Sequence, residues 1–93
     1  MLNQVVLVGR IITIENNNVM INVPRNYKNE EGIYENDTIK INVIDNIFKN
    51  VKEYCMKGDL IGIRGRIESQ ENTIIIKAEK ITFLNTRKEK EEN

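Results

Sequence analysis

The stretch Leu60 to Ile67, LIGIRGRI, entered through Lys57-Gly58-Asp59, decides the fold. Ile61, Ile63 and Ile67 alternate with Gly62, Arg64 and Arg66, which gives a strand one apolar face and one face carrying two guanidinium groups. Gly65 falls in the inward row, where a side chain is expected. Glycine at such a place marks a sharp bend, a bulge or a close backbone approach, and a small barrel needs a corner of that kind.

Upstream of this strand, Asp45-Asn46 supplies N-cap chemistry, and Ile47, Val51 and Tyr54 recur at helical spacing. The pattern predicts a short amphipathic helix over Ile47 to Met56, closed by Gly58, with Phe48, Tyr54 and Cys55 as packing residues. Before it, Thr38 to Ile44 alternates cleanly: Ile39, Ile41 and Val43 point one way, while Thr38, Lys40, Asn42 and Ile44 point the other. With Lys40 at its centre, the outward row is either the floor of a shallow nucleic-acid groove or simply a wet sheet face. Asn29 to Asp37 is acidic and rich in turn residues, so it reads as an exposed loop or hairpin tip that repels phosphates. Tyr34 could stack from that tip, with a packing role the favoured reading.

Closer to the N-terminus, Val19 to Val23 reads as a short strand ended by Pro24, which offers no N–H to a ladder. Arg25-Asn26-Tyr27-Lys28 then sets an aromatic ring among cations. A stacked base and its phosphates need that combination, since stacking on an aromatic contributes on the order of 1–3 kcal/mol per base. A tyrosine lying on a barrel rim beside solvated charges is the plainer alternative. Glu15 to Asn18 is hairpin-turn chemistry. Ahead of it, Val5 to Ile14 is apolar at nearly every position except Gly9, Arg10 and Thr13, which describes a strand covered on both faces. One face meets the core. The other, with Val6 and Val8, is covered either by a second subunit or by the chain's own helix and loops.

Downstream of the deciding strand, Glu68 to Asn72 is a polar turn and Thr73 to Leu84 a last strand. Residues 87–93 mix Lys and Glu without an apolar residue, so a barrel domain over 1–86 is expected to precede a short, charged, disordered tail.

A chain of 93 residues has room for one domain and a modest core. Its 14 basic and 14 acidic side chains cancel, so a polyanion site has to come from charges sorted onto one face. With no histidine and only Cys55, an intrachain disulfide, a Cys/His zinc site and histidine-based acid–base catalysis are excluded. Neither a nucleophile–base pair nor a phosphate-cradling Gly-rich loop is present. The expectation is a cytoplasmic binding protein without cofactor or metal, and not an enzyme. No basic leader precedes an apolar core, and no apolar run approaches about 18 residues, so neither export nor membrane association is expected.

Strand, strand, strand, helix, strand, strand is the element order of the OB-fold, an all-β five-stranded Greek-key barrel with one helix between strands three and four. MLNQVVLVGR at 1–10, NVKEYCMKGDLIGIRGRIES at 50–69 and AEKITFL at 78–84 resemble, in sequence, order and spacing, the bacterial single-stranded DNA-binding protein (SSB) family. The resemblance implies an OB-fold that binds single-stranded DNA without sequence preference in replication, recombination or repair. It also implies a homotetramer, or a homodimer, whose first strands pair between subunits, with Val6 and Val8 at the interface and Arg64 near it. Tyr27 matches a stacking aromatic after strand two, with Lys28 beside it as a phosphate contact. Thr38, Lys40 and Ile44 match strand-three positions that are aromatic, basic and aromatic in many members, and Lys57 matches the basic residue before the glycine that enters strand four. Arg25, Lys28, Lys40, Lys57 and Arg66 are the cations placed to neutralise phosphates.

The chain also departs from the family's pattern. The loops after strand one and between strands four and five are short, Trp is absent, and Thr38 and Ile44 stand where rings are common. Arg87 to Asn93 lacks the apolar residue of an acidic-hydrophobic tip, so recruitment of repair enzymes through such a tip is not expected. A second reading is therefore kept: an OB-fold adaptor in a replication or mobile-element assembly, like the primosomal replication protein N family, acting mainly through contacts with replication proteins.

Overall fold

Asn16 and Asn17 close the first hairpin with φ of +51° and +60°, and Glu71 and Asn72 close the last with +50° and +64°. Two successive left-handed residues join twisted antiparallel strands in the shortest favourable loop. The structure, a computed structural model, describes residues 1–84; the tail expected at 87–93 lies outside the described residues. The turns separate β1 (Val5–Glu15) from β2 (Asn18–Lys28) and β4 (Leu60–Gln70) from β5 (Thr73–Phe83), while β3 (Tyr34–Asn42) and α1 (Asp45–Tyr54) lie between the two hairpins.

The strands close a barrel in the order β1-β2-β3-β5-β4, with β4 returning to β1. Every pairing is antiparallel except β3 with β5, which run parallel through Ile41 opposite Ile76 and Asn42 opposite Lys77. This is the expected OB-fold. Inward side chains from all five strands form the core: Ile11, Val19, Ile21, Ile41, Ile61, Ile63 and Ala78, joined by Phe48 and Val51 of α1. Cys55 is buried beside them, and burial, with the charge of Asp59 adding to it, pushes its thiol up to about 11. Gly65 is the corner: a Cβ there would collide with the Lys77 carbonyl oxygen, and the β4–β5 register slips between Arg64 and Gly65.

Several expected boundaries move. β2 does not stop at Val23 but runs through Pro24, which pairs with Asn36, to Lys28. Its last β1 partner is Asn22, so beyond that residue it is an edge strand, where a missing N–H is tolerated. β3 correspondingly begins at Tyr34, not Thr38, and the acidic loop shrinks to 29–33. The Asn29 carboxamide oxygen holds that loop by accepting the N–H groups of Glu31 and Ile33, each at 2.9 Å. At its other end β3 stops at Asn42, level with Asn18, the first residue of β2, and the Val43 N–H makes one further bond in the same register, to the Asn17 carbonyl at 2.8 Å.

The helix starts at Asp45, with Ile44 as its N-cap and no side-chain cap bond. Asp45 is held instead by the Asn17 side-chain amide, which donates to its Oδ1 at 2.8 Å. The helix ends at Tyr54, so Gly58, with φ of +94°, belongs to the following turn and does not close it. The polar turn expected at Glu68 to Asn72 is narrower too, since β4 continues to Gln70. Three packing assignments change. Tyr34 and Tyr54 are more than half exposed, the latter with its ring 6.3 Å from that of Phe83. Ile67, in the same inward row as the buried Ile63, is 43% exposed because β4 runs past the barrel's end there.

Candidate nucleic-acid interface

Register rows sort the outward side chains. Across β1, β2 and β3, Arg10 lies opposite Asn22 and Asn22 opposite Thr38; one step along, Thr13, Met20 and Lys40 form the next row. Thr38 and Lys40 are exposed and line a groove of about 490 Å³ between β3 and the start of β5. Its far wall is Thr73 to Ile76, where the β4–β5 hairpin leaves the barrel, and Ile74 is 72% exposed there. The groove thus combines a cation, hydroxyls and an apolar wall, the mixture that phosphates and unstacked bases require.

Beyond the groove, β2 and β3 continue together as an arm. Arg25 anchors it: Nη2 donates to Asp37 Oδ1 and Nη1 to Glu35 Oε1, each at 2.9 Å, and Nε reaches Asp37 Oδ2 at 3.1 Å. The hydrogen bond to Asp37, and then that carboxylate's charge, holds the guanidinium protonated above its ordinary range. The same bond holds the Asp37 carboxyl below its usual value. Arg25 therefore neutralises the two carboxylates nearest it on the arm. Past this lock, Tyr27 is 60% exposed, and Lys28 lies opposite Tyr34 with its ammonium 5.7 Å from the ring centroid.

The other expected site residues are spread more widely. Ile44 is exposed at the start of α1. Lys57 is exposed in the turn before β4, next to Gly58, whose carbonyl accepts a bond from Arg10 Nη1 at 3.1 Å. Arg66 lies opposite Lys77, which lies opposite Asn42, so the three form one outward row; both cations also approach Glu68, at 3.5 and 3.6 Å. Thr38, Lys40 and Lys28 thus lie along β3 and its hairpin, Arg66 flanks the far side of β5, and Ile44 and Lys57 sit at the helix's two ends.

A second surface is built by β1, β4 and β5. Val6 lies opposite Arg64 and Arg64 opposite Lys80; Val8 lies opposite Gly62 and Gly62 opposite Thr82. Val6 is 70% and Val8 49% exposed, so these side chains face away from the core, and neither the helix nor a described loop covers them. Leu84 lies over Gly62 and extends the apolar patch.

The model of the "Single-strand binding protein family" matches residues 2–74. This chain belongs to that family. Members similar to it include a "Single-stranded DNA-binding protein" of Oceanobacillus iheyensis, 30% identical over 94% of this chain and 66% of the relative. A "Single-stranded DNA-binding protein 1" of Clostridium acetobutylicum is 31% identical over 95% of this chain and 98% of its own length. A Streptococcus mutans member is 38% identical over 75% of this chain, but that match covers 49% of the relative. Among solved structures, the Plasmodium falciparum SSB in complex with ssDNA superposes with a TM-score of 0.71 at 19% identity, covering 91% of this chain and 96% of that one. At that identity the likeness speaks for the OB-fold alone.

Two groove residues escaped the sequence reading, while Tyr34, weighed there as a stacking ring, shares the even-numbered row of β3 with Thr38 and Lys40. Arg10 needed the β1–β2 register to place it beside Asn22 and Thr38. Ile74 reads as core from its neighbours, and only the hairpin's length exposes it.

Proposed function

We propose that this protein binds single-stranded DNA without sequence preference, as a coating protein of DNA replication, recombination or repair. The observation that carries it is the sorting of a net-neutral chain: Thr38, Lys40, Lys28 and the exposed tyrosines follow one hairpin of a single-strand binding fold, while Arg25 neutralises the nearest carboxylates. Lys40 and Lys28 contact phosphates in this reading, Tyr27 stacks on a base, and Lys57 and Arg66 extend the path. Thr38 and Ile44 line it without a ring. The adaptor reading is not favoured, since the family match covers β1 to β4 and the Thr38 and Lys40 side of the groove. Anisotropy titration of a labelled oligo-dT against a duplex of equal length tests the proposal. Saturable binding of the single strand and weak binding of the duplex is expected; equal affinity for both would refute it.

Self-association through β1 belongs to the same proposal. Val6, Val8 and Leu84 leave an apolar strip flanked by Arg64 and Lys80, and a second copy is the partner that covers it, giving a dimer or tetramer. Val8→Lys should yield a folded monomer in sedimentation. A parent protein that is already monomeric at tens of micromolar would contradict the interface.

A further inference from the structure

We infer that Tyr34, with Lys28 against its ring, is a base-stacking residue that continues the groove along the β2–β3 arm. The inference rests on the proposed single-strand binding and adds a contact to it. Alternation along β3 puts Tyr34, Asn36, Thr38, Lys40 and Asn42 on one face, so Tyr34 stands in line with the groove floor, about 14 Å from Thr38 at about 3.4 Å per residue. Glu35 and Asp37 occupy the opposite row, and both are bonded to Arg25. The arm is thereby fixed at its base, and its two carboxylates are turned away from the face that Tyr34 shares with Lys40.

The ring itself is prepared for a base. Tyr34 is 56% exposed, and the Lys28 ammonium lies over one of its faces, which leaves the other for a nucleobase. Immobilising the ring costs little, because a tyrosine has two side-chain torsions and this one is held on a paired strand. The ligand is a nucleobase of single-stranded nucleic acid; a π-face, common to all bases, is what the site reads.

The test compares Tyr34→Leu and Tyr34→Phe with the parent in oligo-dT titrations at several salt concentrations. Tyr34→Leu should weaken binding roughly 5- to 150-fold with an unchanged salt slope, while Tyr34→Phe, which keeps the ring, should stay within about twofold. A Tyr34→Leu protein that binds like the parent, while Tyr27→Ala loses affinity, would overturn the inference and leave the proposed function intact. A folded parent that does not bind oligo-dT would overturn both. Should Tyr34→Leu fail to fold, photo-crosslinking the parent to an oligonucleotide carrying 5-iodouracil decides. Trypsin cleaves after Lys28 and Lys40, so Tyr34 falls in the peptide 29–40 and Tyr27 in 26–28. An adduct localised to Tyr34 by fragmentation of peptide 29–40 supports the assignment, and adducts confined to other residues refute it.

Discussion

Ile63 and Ile67 occupy the same row of the same strand, yet the first is 2% exposed and the second 43%. β3 repeats the contrast with charge. Ile41 is fully buried, whereas Asp37, four residues earlier in that row, is bonded to Arg25 at 2.9 Å. Inside the barrel, the inward row meets four other strands and excludes water. Past the barrel's end the row has no opposing strand, and the chain fills it with an ion pair on one hairpin and with exposed isoleucines on the other. Alternation therefore fixes which side a residue takes, and strand length relative to the barrel decides whether that side is buried.

The largest effect expected from this contrast is at the corner. Gly65→Val should cost about 3 kcal/mol or more, because its side chain would enter the Lys77 carbonyl, and a domain of this size has a total stability on the order of 5 kcal/mol. Gly62→Ala on the same strand meets Leu84 only at 3.6 Å and should change stability by less than about 0.5 kcal/mol. Urea unfolding of both variants would show whether the bend or the mere presence of glycine matters.

Next come the two isoleucines. Ile63→Ala should lose about 2–5 kcal/mol as a cavity-forming core truncation, and Ile67→Ala well under about 1 kcal/mol. Equal losses would mean that the β4–β5 hairpin is covered in solution, which sharpens the case for a partner on that end. Binding separates the regions further. Tyr27→Ala should weaken oligo-dT binding by about 1–3 kcal/mol with little change in salt dependence, whereas Lys40→Ala should reduce the slope of log K against log salt by about 0.7. Isothermal or fluorescence titration at three salt concentrations distinguishes the two.

The smallest effect concerns the arm's lock. The Asp37 carboxyl is held below its ordinary value, first by the hydrogen bond from Arg25 and also by that charge, against the opposing cost of desolvation. A lowered folded-state pKa means that its stabilisation is present above the unfolded value and is lost as pH falls through the folded one. Followed by NMR, the Asp37 carboxyl resonance should thus titrate below the ordinary aspartate range, with the hydrogen bond from Arg25 loosening as it does. Asp37→Asn should show the loosened pattern at every pH.

Most of the barrel was legible in the sequence because its cues are local: two-residue asparagine turns, the LIGIRGRI alternation, and a glycine where the inward row needed one. The limits of β2 and β3 were not, because Pro24 and the acidic run 29–37 carry strong loop chemistry that cross-strand pairing overrides. The site was legible as a set of cations and one ring. Which cations the fold leaves to a ligand was not, since Arg25 meets its carboxylates only when Asp37 is brought across from the neighbouring strand.

In the proposed reading, the groove takes phosphates with few cations and bases with few rings. Titrating the parent protein with oligo-dT from low to physiological salt measures both at once. Saturable binding is expected with a log–log salt slope near −3, corresponding to Lys28, Lys40, Lys57 and Arg66 at about 0.7 each. A folded protein that fails to saturate with oligo-dT even at low salt would contradict it.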